Sequence, residues 1–297
     1  MNQRTLRVCL PPDPNPRTPK FKAPPGACDT HCHIFGPPDI FPYSENRRYT
    51  PPAAPLDHYL QMLDIIGVER GIVVQPNAHA TDNAVSLDAI ARSNGRLLGV
   101  GRVDDDTTDK QIEQMHAGGI RGVRFEFVSG RAGSANIPLF DRVMKRVAPY
   151  GWAIELHTDP KVMVEHIGWF KSIKANAIVD HFARLQTTDG IDQPAFKLLL
   201  ELMKRDNYWV KISGADERTP SGYPYPEIVP YAHALIMVAP DRVIWGTNWP
   251  HSNIFEPGEI PNDGLLLDLM LDFAPDEAVR NRILVDNPAR LFGFPKK

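Results

Sequence analysis

The chain has 297 residues, 42% of them hydrophobic, with 33 basic and 36 acidic side chains and a formal net charge of −3. That is enough apolar material for one large domain, and the charge excludes a global basic field that would gather nucleic acid or an anionic membrane. The three cysteines (Cys9, Cys28, Cys32) are too few for a disulfide scaffold, and Met1 to Leu10 lacks the apolar segment of a secretory signal. A cytoplasmic setting is expected, with neither membrane nor nucleic acid as partner.

Residues 1–27 carry seven prolines, which cannot build helix or central strand, so they read as an extended arm ahead of a single domain over residues 28–297. The first strand contains Cys28-Asp29-Thr30-His31-Cys32-His33, and a long loop rich in Pro, Tyr and Arg follows to about residue 56. From there the pattern alternates. Gly71–Gln75 is a short apolar run, Ala84–Ser93 a helix with Asp82 and Asn83 as N-cap candidates, and Leu97–Val103 a further run. Helix is expected around Asp109–Ala117, strand at Gly122–Phe127, helix at Pro138–Ala148 and strand at Trp152–His157. Pro160–Ser172 reads as helix, Ala177–Asp180 as strand, Pro194–Arg205 as helix, Tyr208–Ser213 as strand and Pro226–Val238 as helix. Arg242–Gly246 is the last strand, with helices at Gly264–Phe273 and Asp276–Leu284. Eight strand-like runs, nearly all separated by helices, demand right-handed crossovers and a parallel sheet. At this length they predict an α/β protein of the (β/α)8 barrel class. The runner-up is an open doubly wound sheet, but no G-x-G-x-x-G follows an early strand.

In such a barrel, chemistry sits at the carboxyl ends of the strands. Residues i and i+2 of a strand share a face, so His31 and His33 aim two imidazoles into one space while Cys32 turns away as a small buried residue. Strand five ends in Glu155-Leu156-His157 and strand six in Asp180-His181. A core histidine is the bland explanation for any one of these. It is a poor one for four imidazoles at equivalent strand ends.

Several phrases carry a family resemblance: Gly26-Ala27-Cys28-Asp29-Thr30-His31-Cys32-His33-Ile34-Phe35-Gly36-Pro37, Thr81-Asp82-Asn83-Ala84, Val179-Asp180-His181, Ile244-Trp245-Gly246-Thr247 and Asn287-Pro288-Ala289-Arg290-Leu291. Over roughly residues 24–293 the chain resembles the amidohydrolase superfamily, and within it the branch of lactonases acting on 2-pyrone-4,6-dicarboxylate and 4-sulfomuconolactone. The resemblance implies hydrolysis of a small dianionic lactone. An aspartate after strand eight takes a proton from water, and the hydroxide attacks a carbonyl polarised by histidines or a metal. His31, His33 and His181 are the implied catalytic imidazoles. Arg124, Arg131 and Arg218 fall where the lactonases carry their anion-holding arginines, Arg131 only with a one-residue insertion in its loop. Tyr49, Asn77 and His251 are further candidate substrate contacts, His251 with loop support as the competing role.

Two positions depart from the branch. Asn248 stands where the family has aspartate, and an amide has no protonation equilibrium near neutral pH. The expectation is a chain inactivated at that position. His157 replaces an aromatic residue and, with His31, His33 and position 248, outlines a mononuclear site for zinc or manganese, weakened or lost with the neutral Asn248. The extra histidine and the arginine count favour 4-sulfomuconolactone, opened to maleylacetate and sulfite, over the pyrone dicarboxylate. A decarboxylase or hydratase on the same scaffold and a non-catalytic anion binder stay open, as does assembly as a monomer or small homo-oligomer.

Overall fold

A computed structural model describes residues 6–130 and 136–295. Eight parallel strands follow one another in sequence order around a single sheet: β1 (Cys28–Cys32), β2 (Arg70–Val74), β3 (Leu97–Gly101), β4 (Ile120–Phe127), β5 (Ala153–Thr158), β6 (Ala177–Val179), β7 (Tyr208–Lys211) and β8 (Val243–Ile244). The ends meet through a parallel bridge between Cys32 and Trp249, with Thr30 N–H donating to Trp245 O at 3.0 Å and His33 N–H to Trp249 O at 2.8 Å. The expected barrel is the observed one.

β8 is shorter than its apolar run because Trp245–Trp249 leaves the ladder to close against β1. Asp29 makes that closure. Its fully buried carboxylate accepts from Thr247 N (2.8 Å), Thr247 Oγ1 (2.6 Å), His31 N (3.0 Å) and Tyr59 Oη (3.0 Å). Gly246 is required beside it, since a Cβ there would lie 2.8 Å from His31 N. The closing Asn287 is structural as well. Its amide donates to Pro240 O and Val243 O, pinning the entry to β8.

Helices α1 (Leu56–Ile66), α2 (Ala84–Arg92), α3 (Asp109–Ala117) and α4 (Ile137–Val147) cover the first half. The sequence reading passed over α1, although Leu56, Tyr59, Met62, Leu63 and Ile66 are buried at helical spacing and Gly67 ends the helix at φ 75°. The helix expected at Pro160–Ser172 is two, α5 (Pro160–Glu165) and α6 (Ile167–Ser172), broken at His166. α7 (Pro194–Met203) and α8 (Val229–Val238) agree with their patterns. The last helical stretches divide into α9 (Asp263–Asp268), α10 (Met270–Phe273), α11 (Glu277–Asn281) and α12 (Asn287–Phe292). The proline-rich arm bonds to the loops after β1 and β8: Cys9 N–H donates to Thr50 O and Leu10 N–H to Ile254 O. None of the helices described is long and apolar enough to cross a membrane.

Candidate active site

The carboxyl ends of β1, β5 and β6 bring the expected imidazoles together. Ring centroids lie 4.9 Å apart for His31 and His33, 4.4 Å for His31 and His181, and 6.0 Å for His157 and His181. What holds them is a charge cluster that the sequence reading missed. Lys211, fully buried at the end of β7, places its Nζ 2.6 Å from Glu155 Oε2, 3.0 Å from Asp180 Oδ1 and 2.9 Å from His31 Nδ1. Arg124 on β4 adds a second cation, with Nε 3.2 Å from Glu155 Oε1 and Nη2 3.0 Å from Asp180 Oδ2. Two cations and two carboxylates cancel, which is how four charges tolerate burial together. The pairing splits the carboxylates. Burial and the neighbouring Asp180 push Glu155 up to about 7 despite Lys211 and Arg124. For Asp180, Lys211, His31 and Arg124 overcome burial and hold it well below the carboxylate range.

The cluster also sets the histidines. Burial, reinforced by Arg124, brings His33 down to about 3, and burial brings His181 to about 4. His31, by burial and Lys211, and His157, by burial and Arg124, are held well below the usual imidazole value. All four are therefore neutral at neutral pH, and their partners fix the tautomers. His31 Nδ1 accepts from the Lys211 ammonium, so its proton is on Nε2, a buried N–H with no hydrogen-bond partner. His33 Nδ1–H donates to Val74 O at 2.7 Å, leaving its Nε2 as a lone pair. His181 Nδ1 meets Ser213 Oγ at 2.8 Å.

This decides how a metal would sit. Among the described residues, the group whose three donor atoms lie within 4.8 Å of one another is His31, Asp180 and His181, not the expected His31, His33, His157 and Asn248. Asn248 is instead occupied with Glu217, its Nδ2 donating to Oε1 at 3.1 Å. The three donors are near enough for a divalent ion. With Lys211 charged, however, they do not fit one. The ammonium holds His31 Nδ1 and Asp180 Oδ1, and the His31 Nε2 carries a proton instead of a lone pair.

Beside the cluster lies a cavity of about 70 Å³, lined by the imidazoles of His33, His157 and His181, the guanidinium groups of Arg48, Arg124 and Arg184, and the polar side chains of Tyr49, Asn77, Glu217 and Asn248, among others. A second cavity of about 290 Å³, which includes Arg102 and Glu126, meets it at Arg124. Larger hollows of about 600 and 830 Å³ sit by Arg70 and Phe294 at the amino ends of the strands and along α7, away from this chemistry.

Arg124, Tyr49 and Asn77 thus line the pocket as expected. Arg218 does not. It is buried behind the pocket, donating to Arg184 O at 3.1 Å and to Glu217 Oε2 at 2.5 Å. Arg48 and Arg184, which the sequence reading did not single out, take the wall positions. Arg131 lies outside the described residues. His251 does not line the cavity; its Nε2 meets the buried Asp263 Oδ1 of α9 at 3.0 Å. Cys32 is buried among apolar side chains.

The fold is a parallel barrel with neutral imidazoles and guanidinium groups gathered at its carboxyl rim, the end where such barrels place their chemistry. The chain belongs to the amidohydrolase family, whose model matches residues 28–294. It is 44% identical over 297 residues to a 4-sulfomuconolactone hydrolase of Hydrogenophaga intermedia, covering 99% of this chain and 98% of that protein. It is 35% identical to a 2-pyrone-4,6-dicarbaxylate hydrolase of Comamonas testosteroni, over 94% of this chain and 93% of that one. A crystal structure of a probable 2-pyrone-4,6-dicarboxylic acid hydrolase from Acinetobacter baumannii with citric acid bound superposes with a TM-score of 0.78 at 27% identity, over 91% of this chain and 100% of that one. The lactonase branch read from the sequence is the branch these relatives occupy.

Proposed function

We propose that this chain hydrolyses a lactone bearing two anionic groups, with 4-sulfomuconolactone as the preferred substrate and 2-pyrone-4,6-dicarboxylate as the alternative. The observation that carries the proposal is the meeting of Arg48, Arg124 and Arg184 with neutral His33, His157 and His181 around one cavity. Guanidinium forks suit carboxylate and sulfonate oxygens, and neutral imidazoles beside them can exchange hydrogen bonds with the ester without competing for its charge. The strong identity to 4-sulfomuconolactone hydrolases supports the choice of substrate. Opening of that ring frees an oxygen on the carbon that bears the sulfonate, and this carbon becomes a ketone as sulfite departs.

The test is incubation of the purified protein with sulfonated and dicarboxylated lactones, following ring opening and sulfite. Sulfite release from 4-sulfomuconolactone is expected. Carbon dioxide or a hydrated alkene as the product would move the chain to the decarboxylase or hydratase reading. The metal reading applies to His31, Asp180 and His181 only if the Lys211 side chain moves off His31 Nδ1 and Asp180 Oδ1. In that case zinc, suited to nitrogen and carboxylate donors, would supply Lewis acidity. Elemental analysis well below one equivalent, with turnover unchanged by a chelator, is expected. Stoichiometric zinc would reverse that assignment.

A further inference from the structure

Building on that reading, we propose that Glu217 is the general base of this chain, in the role that the resemblance would give to an aspartate at position 248. Glu217 follows β7 and lines the same cavity as His33, His157 and His181. Its two oxygens are held differently. Oε2 is fixed by Arg218 Nη2 at 2.5 Å, with Arg184 Nη1 at 3.9 Å, while Oε1 accepts one hydrogen bond, from Asn248 Nδ2 at 3.1 Å. A carboxylate oxygen has a second lone pair, so Oε1 can take a water proton while the amide keeps it aimed.

The pair is chemically matched. An aspartate at 248 would set two carboxylate oxygens roughly 3 Å apart, an arrangement that cannot stay doubly ionised. An asparagine there turns the same contact into a donor and an acceptor. The backbone at this position is fixed by its N–H, bound to His31 O at 3.0 Å, and its φ of 70° is one that asparagine and aspartate both tolerate. The amide that removes a base at 248 therefore orients one at 217. Glu217 keeps a side-chain exposure of 35%, so water reaches it, and Arg218, with His181 and Arg184, overcomes burial and holds its carboxyl below the usual range, so it is ionised to accept a proton.

In the step itself, Glu217 takes one proton from water and the water oxygen bonds to the lactone carbonyl carbon, whose π electrons move onto the carbonyl oxygen. That oxyanion re-forms the carbonyl as the ring C–O bond breaks, and the departing ring oxygen receives the proton from Glu217. One water is consumed and the base is regenerated.

The experiment compares the unaltered chain, E217Q, E217D, N248D and E217Q/N248D on 4-sulfomuconolactone and 2-pyrone-4,6-dicarboxylate, with the melting temperature of each recorded. The expected result is turnover by the unaltered chain and a kcat for E217Q lower by about 10²- to 10⁴-fold, the usual range for a lost general base, at nearly unchanged KM. Partial recovery is expected in E217D and in the double variant, which moves the carboxylate back to 248. If E217Q keeps its kcat, or loses only KM through a loosened Arg218, Glu217 is not the base. If the unaltered chain is inert and N248D is active, the base belongs at 248 and this inference fails while the lactonase reading stands. If neither opens any lactone, the lactonase reading itself falls.

Discussion

Replacing Lys211 by methionine tests the charge cluster directly. The substitution keeps the apolar stem and removes an ammonium that sits 2.6 Å from Glu155, 3.0 Å from Asp180 and 2.9 Å from His31, all fully buried. Asp180 then keeps Arg124 as its remaining cation, beside a Glu155 that holds its proton. Breaking a buried pair in this way typically costs about 3–5 kcal/mol. The pH dependence makes the prediction specific. Glu155 is raised in the folded protein from 4.5 to about 7. The proton it holds therefore contributes stability that is complete below its unfolded value and is lost as pH climbs toward 7. Lys211 is one of the groups opposing that rise, so without it the folded value moves higher still. Up to about pH 7 both proteins carry the proton, and the stability difference should be flat. Above pH 7 only the variant keeps it, and the difference should widen by roughly 1.4 kcal/mol per pH unit. Urea unfolding followed by circular dichroism at several pH values from 6 to 9 measures this. A loss under about 1 kcal/mol throughout, below the range for a broken buried pair, would refute the account of the cluster. So would pH curves running parallel above neutrality.

Long-range ¹H–¹⁵N correlation spectra should show His31 as the Nε2–H tautomer, with His33 and His181 neutral from pH 5 to 8. A titration midpoint near the ordinary 6.5 for any of them would contradict the burial argument. R48M removes a half-exposed pocket guanidinium 2.9 Å from Glu126 and should raise KM for dianionic lactones by roughly 10- to 100-fold, the worth of a charged hydrogen bond, with melting unchanged. An equal effect on an uncharged lactone would remove Arg48 from anion binding. G246A drives a Cβ to 2.8 Å from His31 N and 2.9 Å from His31 Cβ, where neither backbone can give way, and should cost at least about 1–3 kcal/mol in urea as well as most of the turnover. In N248D the new carboxylate meets Glu217, so one of the two becomes a weaker acid. One ionised carboxylate suffices as the base and the protonated partner donates to it, so the acid limb of kcat/KM should lie at lower pH than in the unaltered chain, and coincident acid limbs would show that the two groups do not interact.

The histidines were legible because strand parity and strand ends are written in the sequence. His31 and His33 differ by two, and His157 and His181 each close an apolar run, so a barrel brings them to one rim whatever its details. Arg48, Arg184 and Glu217 were not legible, because they lie on loops whose path no periodicity describes. Arg184 sits in a run of left-handed backbone from His181 to Arg184 that nothing in His-Phe-Ala-Arg announces. Arg218 and Glu217 are neighbours in sequence, and only the turn after β7 decides which faces the cavity. Lys211 did leave a signal. A lysine ending the run Tyr208-Trp209-Val210 in a fully buried strand must find anionic partners, and Glu155, within β5, and Asp180, directly after β6, are the acids within reach.

That lysine is where this barrel's chemistry is chosen. A histidine offers a metal a lone pair or a substrate an N–H, and the partner on its other nitrogen decides which. A carbonyl or carboxylate on Nδ1 would leave Nε2 of His31 as a ligand. An ammonium on Nδ1 leaves it as a donor. The ammonium in turn needs Glu155 and Asp180, and their second charge needs Arg124, which also lines the pocket. One residue at the end of β7 therefore fixes the tautomer at the end of β1, the protonation of Glu155 on β5 and the place of a pocket-lining arginine on β4. The same dependence gives K211M a signature beyond lost stability. With Nδ1 released from the ammonium, the fixed Nε2–H tautomer of His31 should give way to a mixture, and the pocket's affinity for zinc should rise as its turnover falls.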